Sequence, residues 1–254
     1  MAENSGIEWT HHTWNPWIGC TKVSAACDHC YAEARDIRFQ PGNTRWGPHA
    51  ARTRTKTQGN PAKWNRKAIE LGIRYRVFTA SLADIADNHK SIQPEWRLSM
   101  VKTIRECANL DFLLLTKRPQ NIAKLYPDMM EDWPANAWLG ASTENREEML
   151  RRATVLAKLP APITFWSAEP LVGDLGEIPT DIMPSWIITG GESGAQYRKA
   201  NHDWFRSLRD QCASHNVPFL FKQFEGKSQK EIKAMGRALD GVVHDGYPTP
   251  IQTI

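Results

Sequence analysis

Short apolar runs alternate with amphipathic stretches from residue 77 onward. Each run is rich in β-branched or aromatic residues, which is typical of strands that are buried on both faces. The pattern predicts six strands, at 77–80, 112–116, 137–142, 163–168, 186–190 and 219–223.

Several of the stretches between these strands have apolar residues at helical spacing. A helix is predicted over 144–159 with Thr143 as its cap, a second after Asn201, and a third over 94–110. Strands that alternate with helices form parallel sheets, so the chain is α/β, with either a βα-barrel or an open doubly wound sheet. We expect a partial or complete parallel (βα) barrel.

Polar side chains follow the ends of the predicted strands. In a parallel barrel these ends form one rim, which is where such folds place their chemistry. The alternative is that these are ordinary polar loops. The residues are Ser81 and Asp84, Lys117 and Arg118, Ser142, Glu144 and Asn145, Glu169, Glu192 and Ser193, and Lys222.

The composition is that of a globular protein, with 41% hydrophobic and 24% charged residues and a formal net charge of +4. It excludes a wholly disordered chain. No apolar run approaches the ~18 residues of a membrane span, and the first residues do not resemble a secretory signal. We expect a cytoplasmic protein with one domain over 1–224 and a surface appendage over 225–254.

The segment 35–76 is strongly basic, with eleven Lys and Arg residues against Asp36 and Glu70. Tryptophans are interleaved with these cations. Such a surface could bind nucleic-acid phosphates and stack bases, and Arg52, Arg54 and Trp46 are the candidate contacts. The alternative is a solvated helical face.

Three of the five cysteines, Cys20, Cys27 and Cys30, lie within eleven residues. Cys107 and Cys212 fall in predicted helices and are expected to be small buried hydrophobes. Spacing alone leaves three interpretations of the trio open. They are a zinc site completed by His29, His11 or His12, a 4Fe–4S cluster with one open iron, and unliganded thiols.

The motif around these cysteines resembles a known family. Trp14-Asn15-Pro16, Gly19-Cys20 and Cys27-x-x-Cys30-Tyr31 are similar to the bacteriophage three-Cys-motif proteins, which are radical-SAM-like. Segments 115–119, 167–171, 190–194 and 221–223 extend the resemblance over nearly the whole chain. The aromatic residue after the last cysteine also resembles radical SAM enzymes related to spore photoproduct lyase.

The resemblance implies a radical-SAM-type barrel in which Cys20, Cys27 and Cys30 hold a 4Fe–4S cluster. The cluster would cleave S-adenosyl-L-methionine to a 5′-deoxyadenosyl radical. The glycine-rich turn 190–193 allows close backbone approach to a ligand, although a tight strand-to-helix turn is an equal explanation. Candidate cofactor-binding residues are Ser142, Glu144, Asn145, Gly190, Gly191, Glu192 and Ser193.

Two further pairs carry charge at strand ends. Glu169 and Lys222 are candidate catalytic residues, and the alternative is a structural ion pair between them. Lys117 and Arg118 would suit an anionic group of the substrate.

The resemblance and the basic segment together predict an enzyme of phage DNA base hypermodification. It would be a lyase or isomerase that acts on an amino-acid-modified thymine, flipped out of DNA to reach the barrel. The alternatives are a DNA-repair radical SAM enzyme and a zinc- or cluster-stabilised nucleic-acid-binding module without radical chemistry. The resemblance also implies a three-Cys-motif partner protein and, for a phage protein, the cytoplasm of the host cell. No membrane partner is expected, since no apolar run is long enough to span one.

Overall fold

A parallel sheet forms the centre of the computed structural model, which describes residues 3–250. Its strands are joined mostly through helices that cover one face. The strands are β1 (His12–Trp14), β2 (Trp17–Ile18), β3 (Thr53–Arg54), β4 (Tyr75–Thr79), β5 (Leu110–Thr116), β6 (Ala137–Ser142), β7 (Thr164–Ala168), β8 (Ile187–Thr189), β9 (Phe219–Phe221), β10 (Ala238–Leu239) and β11 (Val242–Val243). The α-helices are α1 (Tyr31–Phe39), α2 (Asn60–Leu71), α3 (Pro94–Glu106), α4 (Ile122–Leu125), α5 (Pro127–Glu131), α6 (Arg146–Leu156), α7 (His202–Ser214) and α8 (Gln229–Met235).

Seven strands form the main sheet in the order β1-β4-β5-β6-β7-β8-β9, and all neighbours are parallel. The sheet curls into a half-barrel with β1 and β9 at its edges. The expectation of a partial parallel barrel is therefore confirmed at the level of an α/β half-barrel. All six predicted strands are present, with ends displaced by at most two residues.

The first strand of the sheet was not predicted. β1 has three residues and pairs in parallel with β4, in the register His12 with Val77. Three residues are too few to show an apolar pattern. The tryptophans and cysteines nearby in the sequence also give no strand signal. β1 lies shortly before the three cysteines, and residues 20–31 are called the cysteine segment from here on. The pairing with β4 therefore holds the chain that leads into this segment against the sheet.

Alternate side chains of each strand face two different clusters, as the period of two in a strand requires. On the convex face, Val77 and Phe112 pack in a cluster that includes the helix residues Ile104 and Met149. On the concave face, a smaller and strongly aromatic cluster fills the half-barrel. It comprises Trp9, Phe78, Leu113, Trp138, Ile163, Phe165, Trp186, Ile188 and Leu220.

The helix caps follow the sequence at one site and depart from it at another. Asn201 caps α7 as predicted, because its side chain accepts a hydrogen bond from Asp203 N at 3.0 Å. α6 is capped by Asn145, which accepts from Glu148 N at 2.9 Å, and not by Thr143. Thr143 is fully buried directly after β6 and lies before the turn into the helix.

The C-terminal segment, expected over 225–254 to be a surface appendage, packs against the half-barrel through Tyr247. Tyr247 Oη donates to the carbonyl of Glu8 at 3.0 Å, and its ring lies 5.3 Å from that of Trp186. The guanidinium of Arg76 lies 3.8 Å from the centroid of the same ring. These contacts are near the first residues of β4 and β8, so the segment covers the amino end of the half-barrel.

No helix in residues 3–250 is both long enough and apolar enough to cross a membrane.

Gly140 on β6 faces the ring of Phe165, and a Cβ at this position would lie 2.3 Å from Phe165 Cζ. Because Phe165 is fully buried and cannot move aside, Gly140→Ala should lower the free energy of unfolding by about 1–3 kcal/mol. Urea unfolding measures this change. Gly59→Ala is the matched control, since a Cβ there meets nothing within 4 Å, and an equal destabilisation in the control would contradict the packing argument.

Candidate functional site

A cavity of about 470 Å³ opens at the carboxyl edge of the sheet. Cys20, Cys27 and Cys30 all line it, together with residues that follow β4, β5, β7, β8 and β9. The rim predicted from the strand ends is therefore one wall of a real cavity, and the cysteine segment forms the facing wall.

The three cysteines have different local structures. Cys27 ends a short 3₁₀ helix, Ala25–Cys27, and Cys30 immediately precedes α1. All five cysteines of the chain are free thiols. Within residues 3–250 no three His, Cys, Asp or Glu side chains lie close enough together to share a metal ion. The trio thus shares a cavity wall without converging on a point.

A buried ion pair connects the cysteine segment to the end of β5. Arg118 Nη1 lies 2.7 Å from Asp84 Oδ2 and 3.6 Å from Sγ of Cys20, and Arg118 Nη2 donates to the carbonyl of Thr21 at 2.6 Å. Asp84 also accepts from Thr116 Oγ1 at 2.6 Å. Arg118 therefore spans the gap between the sheet and the first cysteine.

Burial and the negative charge of Asp84 raise the pKa of the Cys20 thiol to about 12, and the nearby Arg118 only partly offsets them. The thiol is therefore protonated at neutral pH. A metal or cluster would have to displace this proton on binding.

A second connection runs to the end of β6. Ser24 Oγ donates to Glu144 Oε1, and Glu144 Oε2 lies 2.6 Å from Nη1 of Arg152 on α6. Both members of this ion pair are fully buried. Burial would raise the pKa of Glu144, but the charges of Arg152 and Lys117 outweigh it and hold the pKa below its usual value. Glu144 is thus an ionised anchor for the cysteine segment.

A third connection runs to the residues after β8. Glu192 pairs with Arg198 at 2.5 Å and lies 3.2 Å from Nδ1 of His29. Burial acts to raise the pKa of Glu192, but hydrogen bonds from Arg198 and His29 lower it below its usual value. Arg198 Nη2 also donates to the carbonyl of Ala25 at 3.1 Å, so this network holds both ends of the 25–29 turn.

A fourth connection involves the aromatic residue after the last cysteine. Tyr31 Oη donates to the carbonyl of Ser81, just after β4, at 2.6 Å. The cysteine segment is therefore fastened at the carboxyl ends of β4, β5, β6 and β8 by separate polar contacts.

Glu169 and Lys222 form the ion pair that was the alternative to a catalytic role, with Nζ 3.1 Å from Oε1. Trp9 Nε1 donates to Glu169 Oε2 at 3.2 Å. Unlike the fully buried Glu144, both partners line the cavity and remain partly accessible from it. The pair is therefore placed to meet a ligand as well as to neutralise itself.

The structure divides the predicted site residues into two groups. Those that line the cavity are Cys20, Cys27, Cys30, Trp46, Lys117, Arg118, Ser142, Glu169, Gly191, Glu192, Ser193 and Lys222. Those outside its lining are Arg52, Arg54, Glu144, Asn145 and Gly190.

The residues of the second group have structural contacts. Asn145 is the α6 cap, and Arg54 lies on β3 and donates to Ser99 Oγ at 3.1 Å. Arg52 is buried, with Nε 2.8 Å from Asp87 Oδ2 and Nη2 2.6 Å from Thr21 Oγ1. Arg52 therefore supports the cysteine segment from beneath and does not face nucleic acid.

The glycine-rich turn is explained by chain packing. A Cβ on Gly191 would lie 2.2 Å from the backbone nitrogen of Glu225, and one on Gly190 would lie 3.2 Å from Glu169 Oε1. The turn has to be narrow for the segment after β9 to pass beside it.

Sequence reasoning missed Trp9, Ser24 and Arg198 as parts of this site. Trp9 contacts Glu169 across 160 positions of sequence, and Arg198 reaches back to Ala25 across 173. Neither lies in a local motif with a signal of its own. Ser24 lies between the first two cysteines, but its partner Glu144 is 120 positions away and no local pattern points to it.

A sequence profile of one protein family, described as a protein of unknown function (DUF5131), matches residues 4–248. The chain belongs to this family. The match covers the cysteine segment, the half-barrel and most of the C-terminal segment, so all the elements of the site fall within the matched residues. Searches of curated proteins and of solved structures gave no match.

The neighbouring arginines of α6 provide a test of the Glu144 anchor. Arg152→Met should lower the free energy of unfolding by about 3–5 kcal/mol at neutral pH, because it leaves a buried carboxylate without its partner. Arg151→Met should cost less than about 1 kcal/mol, because Arg151 is exposed and pairs only with Glu148 on the same helix.

Chemical denaturation at several pH values measures both variants. The Arg152→Met penalty should shrink as the pH falls, because burial without Arg152 raises the pKa of Glu144 in the variant, and the protonated carboxyl no longer needs a counterion. A penalty that is the same for both arginines, or one that grows in acid, would contradict the assignment.

Proposed function

We propose that this protein is a radical-SAM-like enzyme in which Cys20, Cys27 and Cys30 hold a 4Fe–4S cluster and S-adenosyl-L-methionine binds in the cavity. One observation carries the proposal. A segment with three free thiols is fastened across the carboxyl edge of a parallel half-barrel and faces a cavity of about 470 Å³. Parallel βα folds place their chemistry at this edge.

The donor set fits such a cluster in its chemistry and location. Cysteine thiolates are the ligands that iron–sulfur clusters require, and three of them leave one iron for a ligand that is not protein. The cation of Arg118, 3.6 Å from Cys20 Sγ, would offset the negative charge of a bound thiolate. Among residues 3–250 no three ligating side chains lie close enough to share one metal ion, so holding a cluster would require the three thiols to move together.

A cluster held by Cys20, Cys27 and Cys30 and reduced by an external one-electron donor would supply the electron for reductive cleavage of the carbon–sulfur bond of S-adenosyl-L-methionine. The residues of the chain bind, orient and shield. Trp9, Phe78 and Leu115 give the cavity an apolar floor that keeps water from the reacting atoms. Glu169 and Lys222 present an acceptor and a donor to the polar groups of a substrate.

Ser142 and Ser193, at the ends of β6 and β8, are the cavity-lining hydroxyls that we assign to cofactor contacts. Glu144 and Asn145 would not touch the cofactor. Glu144 holds the cysteine segment and Asn145 caps the start of α6. We assign two roles to Glu192, a cofactor contact and support of the cysteine segment, because it lines the cavity and also lies within hydrogen-bond distance of His29.

For the substrate we propose a modified DNA base, with lyase or isomerase chemistry at an amino-acid-modified thymine in a phage pathway. The exposed cations of the basic segment support a polyanionic substrate, and a base would have to leave the duplex to enter the cavity. A repair enzyme differs from this proposal only in the base that it accepts. A three-Cys-motif partner protein and a location in the host cytoplasm belong to the same proposal.

The test is anaerobic purification followed by iron and sulfide analysis, electron paramagnetic resonance and a 5′-deoxyadenosine assay with reductant. The wild-type protein should bind about four irons and form 5′-deoxyadenosine. Cys27→Ala should lose both the cluster and the product. Cys107→Ala and Cys212→Ala are matched controls, because both cysteines are buried outside the cavity and both variants should keep both properties.

The competing function, a zinc-stabilised nucleic-acid-binding module, makes the opposite prediction. It requires zinc in anaerobically prepared protein and no turnover of S-adenosyl-L-methionine. Retention of the cluster in Cys27→Ala would likewise rule out the proposed ligands.

A further inference from the structure

The eleven cations of segment 35–76 are not equivalent in the folded protein. Four of them are at least partly buried against partners in the fold. Arg45 pairs with Asp36, Arg52 with Asp87 and Arg74 with Asp111, and Arg76 stacks on Tyr247. The other seven are exposed, against one exposed carboxylate, Glu70, in the same segment. They are Arg35, Arg38, Arg54, Lys56, Lys63, Arg66 and Lys67.

Two of the exposed cations lie on α1 beside an exposed aromatic ring. Phe39 is 60% exposed, and the guanidinium groups of Arg35 and Arg38 lie 5.1 and 5.7 Å from its ring centroid. Tyr31, 55% exposed, is eight residues earlier. Positions 31, 35, 38 and 39 fall on one face of a helix, so these side chains form a continuous stripe, here called the α1 stripe.

The α1 stripe begins at the cavity. Tyr31 lines the cavity and follows Cys30 directly, whereas Phe39 lies about 12 Å farther along the helix axis. A chain bound along the stripe would therefore enter the cavity beside the cysteines.

We propose that the α1 stripe binds single-stranded nucleic acid and directs one nucleotide of it into the cavity. Charge complementarity selects a polyanion, because the four positions of the stripe carry two cations and no carboxylate. An exposed ring with two guanidiniums within about 6 Å of its centroid is a platform on which an unpaired base can stack. Bases inside a duplex do not offer their faces in this way, so the occupant is a single strand.

This inference deepens the proposed function. It rests on that function for what happens to the nucleotide in the cavity. Binding along α1 itself needs neither cluster nor S-adenosyl-L-methionine. A measurement on the metal-free protein therefore separates a failure of the docking surface from a failure of the radical chemistry.

The experiment measures binding of a fluorescent oligothymidylate to the full-length, metal-free protein by anisotropy, at several salt concentrations. Phe39→Ala should weaken binding about tenfold or more, which is the usual effect of removing one stacking platform. The double variant Arg35→Gln with Arg38→Gln should reduce the slope of log affinity against log salt by roughly 1.4, or about 0.7 for each phosphate that is no longer neutralised.

Two variants on α3 are matched controls for exposure. Leu98 is 56% exposed and the side chain of Lys102 is 75% exposed, and both lie on a different helix from the α1 stripe. Leu98→Ala and Lys102→Gln should keep the wild-type affinity and salt slope. All of these side chains are at the surface, so thermal unfolding should be the same for every variant.

Three outcomes would overturn the proposal. They are unchanged affinity in Phe39→Ala, equally weakened binding in the α3 variants, and duplex binding that is as tight as single-strand binding. The last two would show that binding is specific neither to the α1 stripe nor to unpaired bases, and the first would show that Phe39 is not a stacking platform.

Discussion

The buried pair of Asp84 and Arg118 is the interaction on which the site depends. Asp84 gathers donors from three consecutive residues at the end of β5, namely Thr116 Oγ1 at 2.6 Å, Lys117 N at 3.0 Å and Arg118 Nη1 at 2.7 Å. The same guanidinium reaches Thr21 and Cys20. A buried ion pair is tolerated only when its remaining polar atoms are satisfied. The cysteine segment supplies those last acceptors, so the pair and the segment require each other.

The charged residues at the carboxyl edge are of two kinds. Some hold the cysteine segment in place, and others remain accessible to a ligand. Glu144 and Glu192 are held by Arg152 and Arg198 and carry depressed pKa values, so they stay ionised and fixed while they hold the cysteine segment. Glu169 and Lys222 form an ion pair in the lining of the cavity, and both side chains remain partly accessible. A rim of polar residues in the sequence thus becomes, in the fold, a scaffold plus a smaller set of groups that can meet a ligand.

Most of the sheet could be predicted because each strand carries its own signal. β5 and β6 are buried on both faces, so their near-continuous apolar runs are visible without any knowledge of partners. β1 could not be found in this way, since His12–Trp14 is a strand only because β4 lies beside it. The covering of the amino end by Tyr247 likewise depends on residues distant in sequence, Glu8, Arg76 and Trp186.

The sequence by itself determined the alternation of strands and helices, the polar residues at the strand ends, and the grouping of three cysteines within eleven residues, because each depends on neighbouring residues. That the three thiols face the strand ends was decided by the tertiary structure. Only the tertiary structure decided what each charge does. Arg52 is an internal support and Arg35 an exposed cation, although both belong to one basic segment. The difference is the presence of Asp87 beside Arg52, 35 residues away in sequence. A buried charge is neutralised by an opposite charge that the fold brings within a few ångströms. The neighbouring residues in the sequence do not show which charge that is.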